Sequence, residues 1–568
     1  MKRIFLHQFA DKPGCVFSRL TTLLCFVVCL LALENPAIAQ QDFEETAPGR
    51  FRIVLKDKNA SPFSLESPED FLSVRAITRR AKQDIPLRYD DLPVTPSYID
   101  SIRSTGATVL TVSKWFNAVT VMALEDSILE KIRKFAFVSD ASQIPVSRSE
   151  SLANSGIQII TEEYAYNYGV SGWQTAIHNG HLMHNRGYTG GGMIIAVIDA
   201  GFYHVNQLPA FESLWDNGQI IGTHDFVIAG ADVFNGHVHG MVVLSIIGGN
   251  LPGELIGTAP DASFWLLRSE DGGSEFLIEE DNWVSAAEFA DSAGADIINT
   301  SLGYSEFTDP AMNHSYSEMD GNTTRISRAA DMAASRGMLV VVSAGNQGNK
   351  DWHYISAPAD ADSVLAVGAI DANGFVAPFS SRGPASDQRI KPDVMAIGLG
   401  TWMAGWDGGI LQGNGTSLSA PVITGLSACL WQANPDATAM QVLNAIRKSA
   451  NRYMNPDADY GYGIPDYNLA GVFLKSSEAG AETQPNITTF PNPFSSELYI
   501  IFKNPVEDAV DIQLIDLSGR IVFQHQYEGI TGIEYIKIEE GISTLPKGVY
   551  LMRIEGGVTS EVCKLVKY

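Results

Sequence analysis

The sequence predicts an α/β protein whose parallel sheet carries helices on both faces, preceded by a small α+β unit and followed by a β-sandwich. Three observations carry this. From about Tyr164 to Leu474, strand-length runs are apolar throughout instead of alternating: Met193 to Ile198, Phe264 to Leu267, Ile297-Ile298, Leu339 to Val342 and Val364 to Val367. Strands of that kind are covered on both sides, the condition of a parallel sheet between helical layers. Upstream, Phe51 to Leu55 and Ala118 to Val121 read as strands, and Tyr98 to Ser104 and Asp126 to Lys134 as helices, which makes a compact mixed unit. Downstream, Leu498 to Phe502, Val510 to Ile515, Arg520 to Phe523, Val549 to Arg553 and Cys563 to Val566 recur with turn residues between them, the pattern of a small sandwich.

The 568 residues are enough for roughly three or four domains. The N-terminus carries Lys2, Arg3, Lys12 and Arg19, then the apolar run Leu23 to Leu33, then Ala37-Ile38-Ala39. This reads as a secretory signal peptide cut after Ala39; a membrane anchor is the other reading, but the run is short of the roughly 20 residues a span needs. No later stretch qualifies as a span. The expected divisions are a signal peptide over 1–39, the α+β unit over 40–150, the α/β domain over 151–475, a polar linker over 476–488 and the sandwich over 489–568, with Ser139 to Gly156 as a processing linker. Against 39 Lys+Arg stand 65 Asp+Glu, a net charge of −26. That argues against a nucleic-acid partner and is common among soluble extracellular proteins. Of five cysteines, Cys15, Cys25 and Cys29 lie in the signal segment, Cys429 in an apolar helix and Cys563 near the end, so no disulfide framework is expected.

The chemistry concentrates in three phrases: Asp199, closing the apolar run Ile194 to Ile198; His239, opening His239-Gly240-Met241-Val242-Val243-Leu244-Ser245; and Ser417 in Gly415-Thr416-Ser417-Leu418-Ser419-Ala420-Pro421. A serine hydroxyl is a weak nucleophile until an imidazole takes its proton, and the imidazole needs a carboxylate to fix its tautomer. Ser417 falls at the start of a helix candidate over 417–431, since Pro421 is tolerated only near a first turn. There the unpaired backbone N–H groups suit a developing oxyanion. His237 competes with His239, but only His239 is followed by glycine and a helical run.

The order Asp, His, Ser and these phrases resemble the subtilisin-like (S8 family) serine proteases. The resemblance implies that Asp199, His239 and Ser417 are catalytic and that Asn346, in Ala344-Gly345-Asn346, is an oxyanion donor. It also implies that Ser301, Leu302 and Gly303, with Ala344 and Gly345, bind an extended substrate. Met241 departs from the usual threonine without removing a proton-transfer group. Phe71-Leu72-Ser73-Val74-Arg75-Ala76 with Arg79-Arg80, and Ser113 to Val119, resemble the propeptides of such proteases from Bacteroidetes-type bacteria. Phe490-Pro491-Asn492-Pro493-Phe494, Leu517-Ser518-Gly519-Arg520 and Leu545-Pro546-Lys547-Gly548-Val549-Tyr550 resemble a C-terminal sorting domain of the type IX secretion system.

The expected protein is a secreted serine endopeptidase, made as a zymogen. Its partners are polypeptide substrates, its own propeptide and the type IX secretion machinery. Its place is outside, or on the surface of, a Gram-negative bacterium, reached through the periplasm. The alternatives are an inactive surface-binding protein on a protease scaffold, and an esterase with the same triad. His178, His181 and His184 recur every three residues, but no carboxylate or cysteine completes a ligand set, so they read as a surface helix. No acidic loop has a diagnostic calcium spacing, and no cofactor or ion is assigned.

Overall fold

The structure, a computed structural model, describes residues 49–144, 165–273, 275–476, 486–504, 506, 509–528, 533–556 and 559–568. The predicted signal segment and most of the predicted linkers lie outside these residues. At the N-terminal end, β1 (Gly49–Leu55), α1 (Val74–Lys82), α2 (Pro96–Ser104), β2 (Thr108–Ser113), β3 (Ala118–Ala123), α3 (Asp126–Arg133) and β4 (Val138–Ile144) form one antiparallel sheet with helices. Its strand order is β2-β3-β1-β4. Phe51, Ile53 and Leu55 point inward from β1 and meet Ile128, Leu129 and Ile132 of α3 in one core, as the period-2 and helical spacings demand. Ser139 to Ile144 is not linker, as the sequence implied. Val138, Ala141 and Ile144 are buried, and the strand pairs along β1. Polar residues between them hid the pattern.

The central domain is built on β5 (Ile194–Asp199), β6 (Ile220–Asp225), α4 (His239–Gly248), β7 (Ser263–Arg268), α5 (Ile278–Ala293), β8 (Ile297–Thr300), α6 (Arg325–Ser335), β9 (Leu339–Ser343), β10 (Leu365–Ile370), β11 (Val394–Ile397), α7 (Thr416–Ala433), α8 (Ala439–Ser449) and α9 (Tyr467–Ser476). Seven strands run in the order β11-β10-β9-β8-β5-β7-β6, every pair parallel. Alternate residues of each strand enter opposite cores. Ile195, Val197, Leu339 and Val341 pack with α4, α7 and α8, whereas Ala196, Ile198, Val340 and Val342 pack with α5 and α6. Two-sided burial is what the continuous apolar runs required.

The N-terminal unit rests on α5 and α6 through the phrases that marked it in the sequence. Asp291 of α5 binds Arg79 at 2.5 Å, Arg80 at 2.8 Å and Lys114 at 3.1 Å. Glu288 accepts the Ser113 hydroxyl at 2.6 Å and the N–H groups of Lys114 and Trp115 at 2.7 and 3.0 Å. In return, Arg336 reaches out from the central domain to Asp91 at 2.9 Å, and Arg325 lies 4.0 Å over the Phe116 ring.

The C-terminal part is a two-sheet sandwich of β12 (Ile487–Phe490), β13 (Leu498–Phe502), β14 (Val510–Asp516), β15 (Ile521–Tyr527), β16 (Tyr535–Ile538), β17 (Gly548–Gly556) and β18 (Thr559–Lys567). The sheets run β12-β13-β16 and β15-β14-β17-β18 and share a core that includes Phe494, Ile500, Ile512 and Met552. No helix among the described residues is long and apolar enough to cross a membrane.

The histidine triplet is not on a surface helix. His178, His181 and His184 are all buried, because the short helix Gly180–His184 packs under α7, where a Cβ on Gly180 would already meet Leu426 at 2.3 Å. His178 Nδ1 pairs with the Pro465 carbonyl at 3.0 Å, and His184 Nε2 with that of Thr258 at 3.0 Å. Burial pushes both imidazoles down to about 4, so they stand neutral as core hydrogen-bonding groups.

Candidate active site

β8 lies between β9 and β5 in the sheet, so three adjacent strand ends deliver Asp199, the 301–303 segment and Asn346 side by side. In an open parallel sheet the ligand crevice lies at such carboxyl ends, where strand order reverses; here the chain leaves β5 for β6 and β7 on one side and β8 on the other. Asp199 is fully buried. Its Oδ1 accepts His239 Nδ1–H at 2.8 Å and the Ala200 N–H at 2.8 Å. Gly240 makes the approach of α4 feasible: a Cβ there would stand 2.4 Å from the Gly201 carbonyl oxygen and 2.9 Å from Asp199 Cβ. His237 is exposed, and its Nδ1 accepts the His239 N–H at 3.2 Å. Met241 is buried in the core. Burial acts to lower His239, but the Asp199 carboxylate and its hydrogen bond outweigh that, and the imidazole stands above its ordinary value.

Ser417 is the second residue of α7 and half-buried. Pro421 lies inside the helix, one residue deeper than the sequence implied because the helix starts at Thr416. A proline there withholds the N–H that would have bonded the carbonyl four residues back. That carbonyl belongs to Ser417, and the Ser301 hydroxyl donates to it at 2.9 Å. A side chain from the neighbouring strand end thus replaces the missing backbone donor.

Asn346 is oriented by Thr416. Its Oδ1 accepts the Thr416 N–H at 2.9 Å and hydroxyl at 3.1 Å, and Thr416 Oγ1 accepts the Gly345 N–H at 3.1 Å. With its oxygen so used, the amide presents Nδ2 as the donor. A Cβ on Gly415 would lie 2.8 Å from Ser417 Oγ and 3.8 Å from Asn346 Nδ2, so the hydroxyl and the amide flank one small space that only glycine leaves open. Leu302 and Ala344 are buried, Gly345 half-buried and Gly303 exposed. The structure therefore assembles two pairs, Asp199 with His239 and Ser417 with Asn346. Among the described residues no hydrogen bond joins His239 to Ser417.

The sequence reading passed over the loop after β7. Tyr304, next to the 301–303 segment, donates its hydroxyl to Glu270 Oε1 at 2.5 Å, and Glu279 accepts the N–H groups of Asp271 and Phe276, both at 3.1 Å. Burial, reinforced by neighbouring carboxylates, holds Glu270 and Glu279 above the ordinary range; burial alone pushes Glu275 up to about 7. Three glutamates within eleven residues of a strand end were the available signal.

The site's architecture has known counterparts. Residues 190–463 match the model of the subtilase family, peptidase S8. Residues 50–157 match the peptidase S8 propeptide domain of Bacteroidota, and residues 488–568 the secretion system C-terminal sorting domain. Just under half of the chain thus matches the subtilase family. Subtilisin DY of Bacillus licheniformis is 29% identical over 291 residues, covering 50% of this chain and 93% of its own length. Serine protease AprX of Bacillus subtilis is 28% identical over 305 residues, 48% of this chain and 65% of that protein. M-protease of Shouchella clausii is 24% identical over 421 residues, 72% of this chain and 93% of its own. The chain is a subtilisin-like serine protease that carries a propeptide domain and a sorting domain, the latter marking a secreted or cell-surface protein.

Proposed function

We propose that this chain is a secreted endopeptidase in which Ser417 is the nucleophile, His239 the general base and acid, and Asp199 the group that fixes and charges His239. The 2.8 Å contact between His239 Nδ1 and Asp199 carries the reading. With Nδ1–H committed to the carboxylate, Nε2 is the acceptor left to take a proton. Ser417 Oγ attacks the peptide carbonyl carbon while His239 Nε2 takes the hydroxyl proton. The oxyanion lodges between Asn346 Nδ2 and the Ser417 N–H, at the positive end of α7. His239 returns the proton to the leaving amine, which departs and leaves an acyl ester on Ser417. Water, deprotonated by His239, then cleaves that ester and restores the hydroxyl. The exposed backbone at Gly303 offers an edge to an extended peptide, and Ala344 and Gly345 leave room for the side chain before the cut.

In this reading residues 1–39 are a signal peptide, residues 40–150 cover the cleft until they are cut away, and residues 489–568 address the chain to the type IX machinery after passage through the periplasm. Release of peptides from an unfolded protein substrate tests the activity. The wild-type chain is expected to turn over, and Ser417→Ala to lose all but a residue of about 10³-fold over water. Equal turnover by both would refute the assignment, and absence of turnover in both would leave a peptide-binding protein on this scaffold.

A further inference from the structure

We infer that the sorting domain docks on the protease through a dedicated aromatic seat on α8 and α9, and braces from behind the helix that presents Ser417. Ile501 of β13 and Tyr535 of β16 are 2% and 8% exposed and belong to the apolar cluster of α7, α8 and α9, not to the sandwich core. The Tyr535 ring lies 5.3 Å from Phe473 of α9 and 6.3 Å from Tyr453, just beyond α8, and Tyr499 of β13 closes the cluster at 6.1 Å. These are spacings at which aromatic pairs attract beyond their area burial. Lys448 on α8 pairs with Glu534 at the rim. A buried centre of aromatic side chains ringed by a polar contact is the composition of a specific interface.

The seat connects directly to the nucleophile helix. Tyr467, the first residue of α9, donates its hydroxyl to the Ile423 carbonyl of α7 at 3.1 Å and lies 3.0 Å from Ser427 Oγ. Its N–H donates to the His178 carbonyl at 2.9 Å. Anything that holds α8 and α9 therefore holds the back of α7. Both partners of the interface are on the chain, so the high effective concentration of a tether favours the docked state. The sandwich is then a structural part of the protease as well as an address, and the sheet β15-β14-β17-β18 is the one left facing away from the seat.

The test is hydrogen exchange on the full chain carrying Ser417→Ala to prevent self-digestion, with reciprocal changes on the two sides. Tyr535→Ala, in the sorting domain, is expected to speed exchange of the 439–449 and 467–476 amides roughly tenfold, and Tyr453→Ala, in the protease, to do the same for 498–502 and 535–538. Tyr535→Phe, which keeps the ring, should leave the seat protected. Should Tyr535→Ala unfold the sandwich outright, the seat still loses its cover and the same acceleration is expected there. If each alanine variant perturbs only the domain that carries it, the docking is refuted.

Discussion

Asp291 offers the sharpest test of how the N-terminal domain is held. The carboxylate is fully buried on α5, and three cations of the N-terminal domain converge on it: Arg79, Arg80 and Lys114, whose side chains are only 3%, 2% and 9% exposed. Asp291→Asn keeps the shape and removes the charge. Arg80 retains Asp91 at 2.9 Å, and Lys114 retains the Ser292 hydroxyl at 2.7 Å, but Arg79 and Lys114 lose their carboxylate partner. Breaking a buried pair from one side costs about 3–5 kcal/mol; since some partners remain, we take about 3 kcal/mol, a factor of roughly 10² in affinity. In the liberated protease Asp291 faces water, and the same change is expected to leave turnover unaltered. The assay is the rate at which peptide-hydrolysing activity appears when the self-processed chain is diluted, expected about 100-fold faster in Asp291→Asn. Burial raises the Asp291 carboxyl, but the three cations outweigh it and drive the group well below its ordinary value. A depressed carboxyl contributes stability above its unfolded value that is lost only as pH falls through its folded value, so the clamp persists when pH drops below about 4. Release within twofold of the parent rate, from an intact precursor, would refute the reasoning.

Further expectations concern the site itself. Asn346→Ala should lower kcat by about 10²–10³ with little change in KM, a scale established in subtilisin for the corresponding kind of donor. Because His239 stands above its ordinary value and must be neutral to accept a proton, the acid limb of kcat/KM should fall above pH 6.5; Asp199→Asn should shift that limb downward and cost about 10⁴ in kcat. Glu279 is raised in the folded protein, so it contributes stability that is complete below its unfolded value and lost as pH rises through its folded value. The Tm of the Ser417→Ala chain should therefore decline as pH climbs from about 5 into the alkaline range, and Glu279→Gln should flatten that decline; an unchanged slope would count against the buried-carboxyl reading.

Much of this was legible because two-sided burial leaves a mark. β5, β7, β8, β9 and β10 were visible as unbroken apolar runs. β6 was not, since Gly222, Thr223 and His224 sit on a half-exposed edge, and β11 is four residues long and starts just after Pro392-Asp393. The catalytic phrases were readable as local motifs, but their supports were not. The Ser301 hydroxyl that completes α7 at Pro421 comes from 116 residues away, and a local rule for proline cannot foresee a tertiary donor. The histidine triplet misled for the same reason: a spacing of three suggests one exposed face, yet His181 and His184 are buried on a five-residue helix under α7, and His178, just before it, is buried against Pro465. Glu270 and Glu279 belong to no motif, and the Tyr304 hydroxyl that meets Glu270 comes from 34 residues away. Arg79, Arg80 and Lys114 were visible as family phrases, whereas Glu288 and Asp291 lie in no phrase and are known only from the partners they meet.

The central claim is that Ser417 is the nucleophile activated by His239. Labelling the processed chain with a fluorophosphonate and mapping the adduct by peptide mass spectrometry tests it most directly. The account predicts a single phosphonylated residue, Ser417, absent in Ser417→Ala and strongly slowed in His239→Ala; an adduct elsewhere, or labelling of Ser417 indifferent to His239, would contradict it.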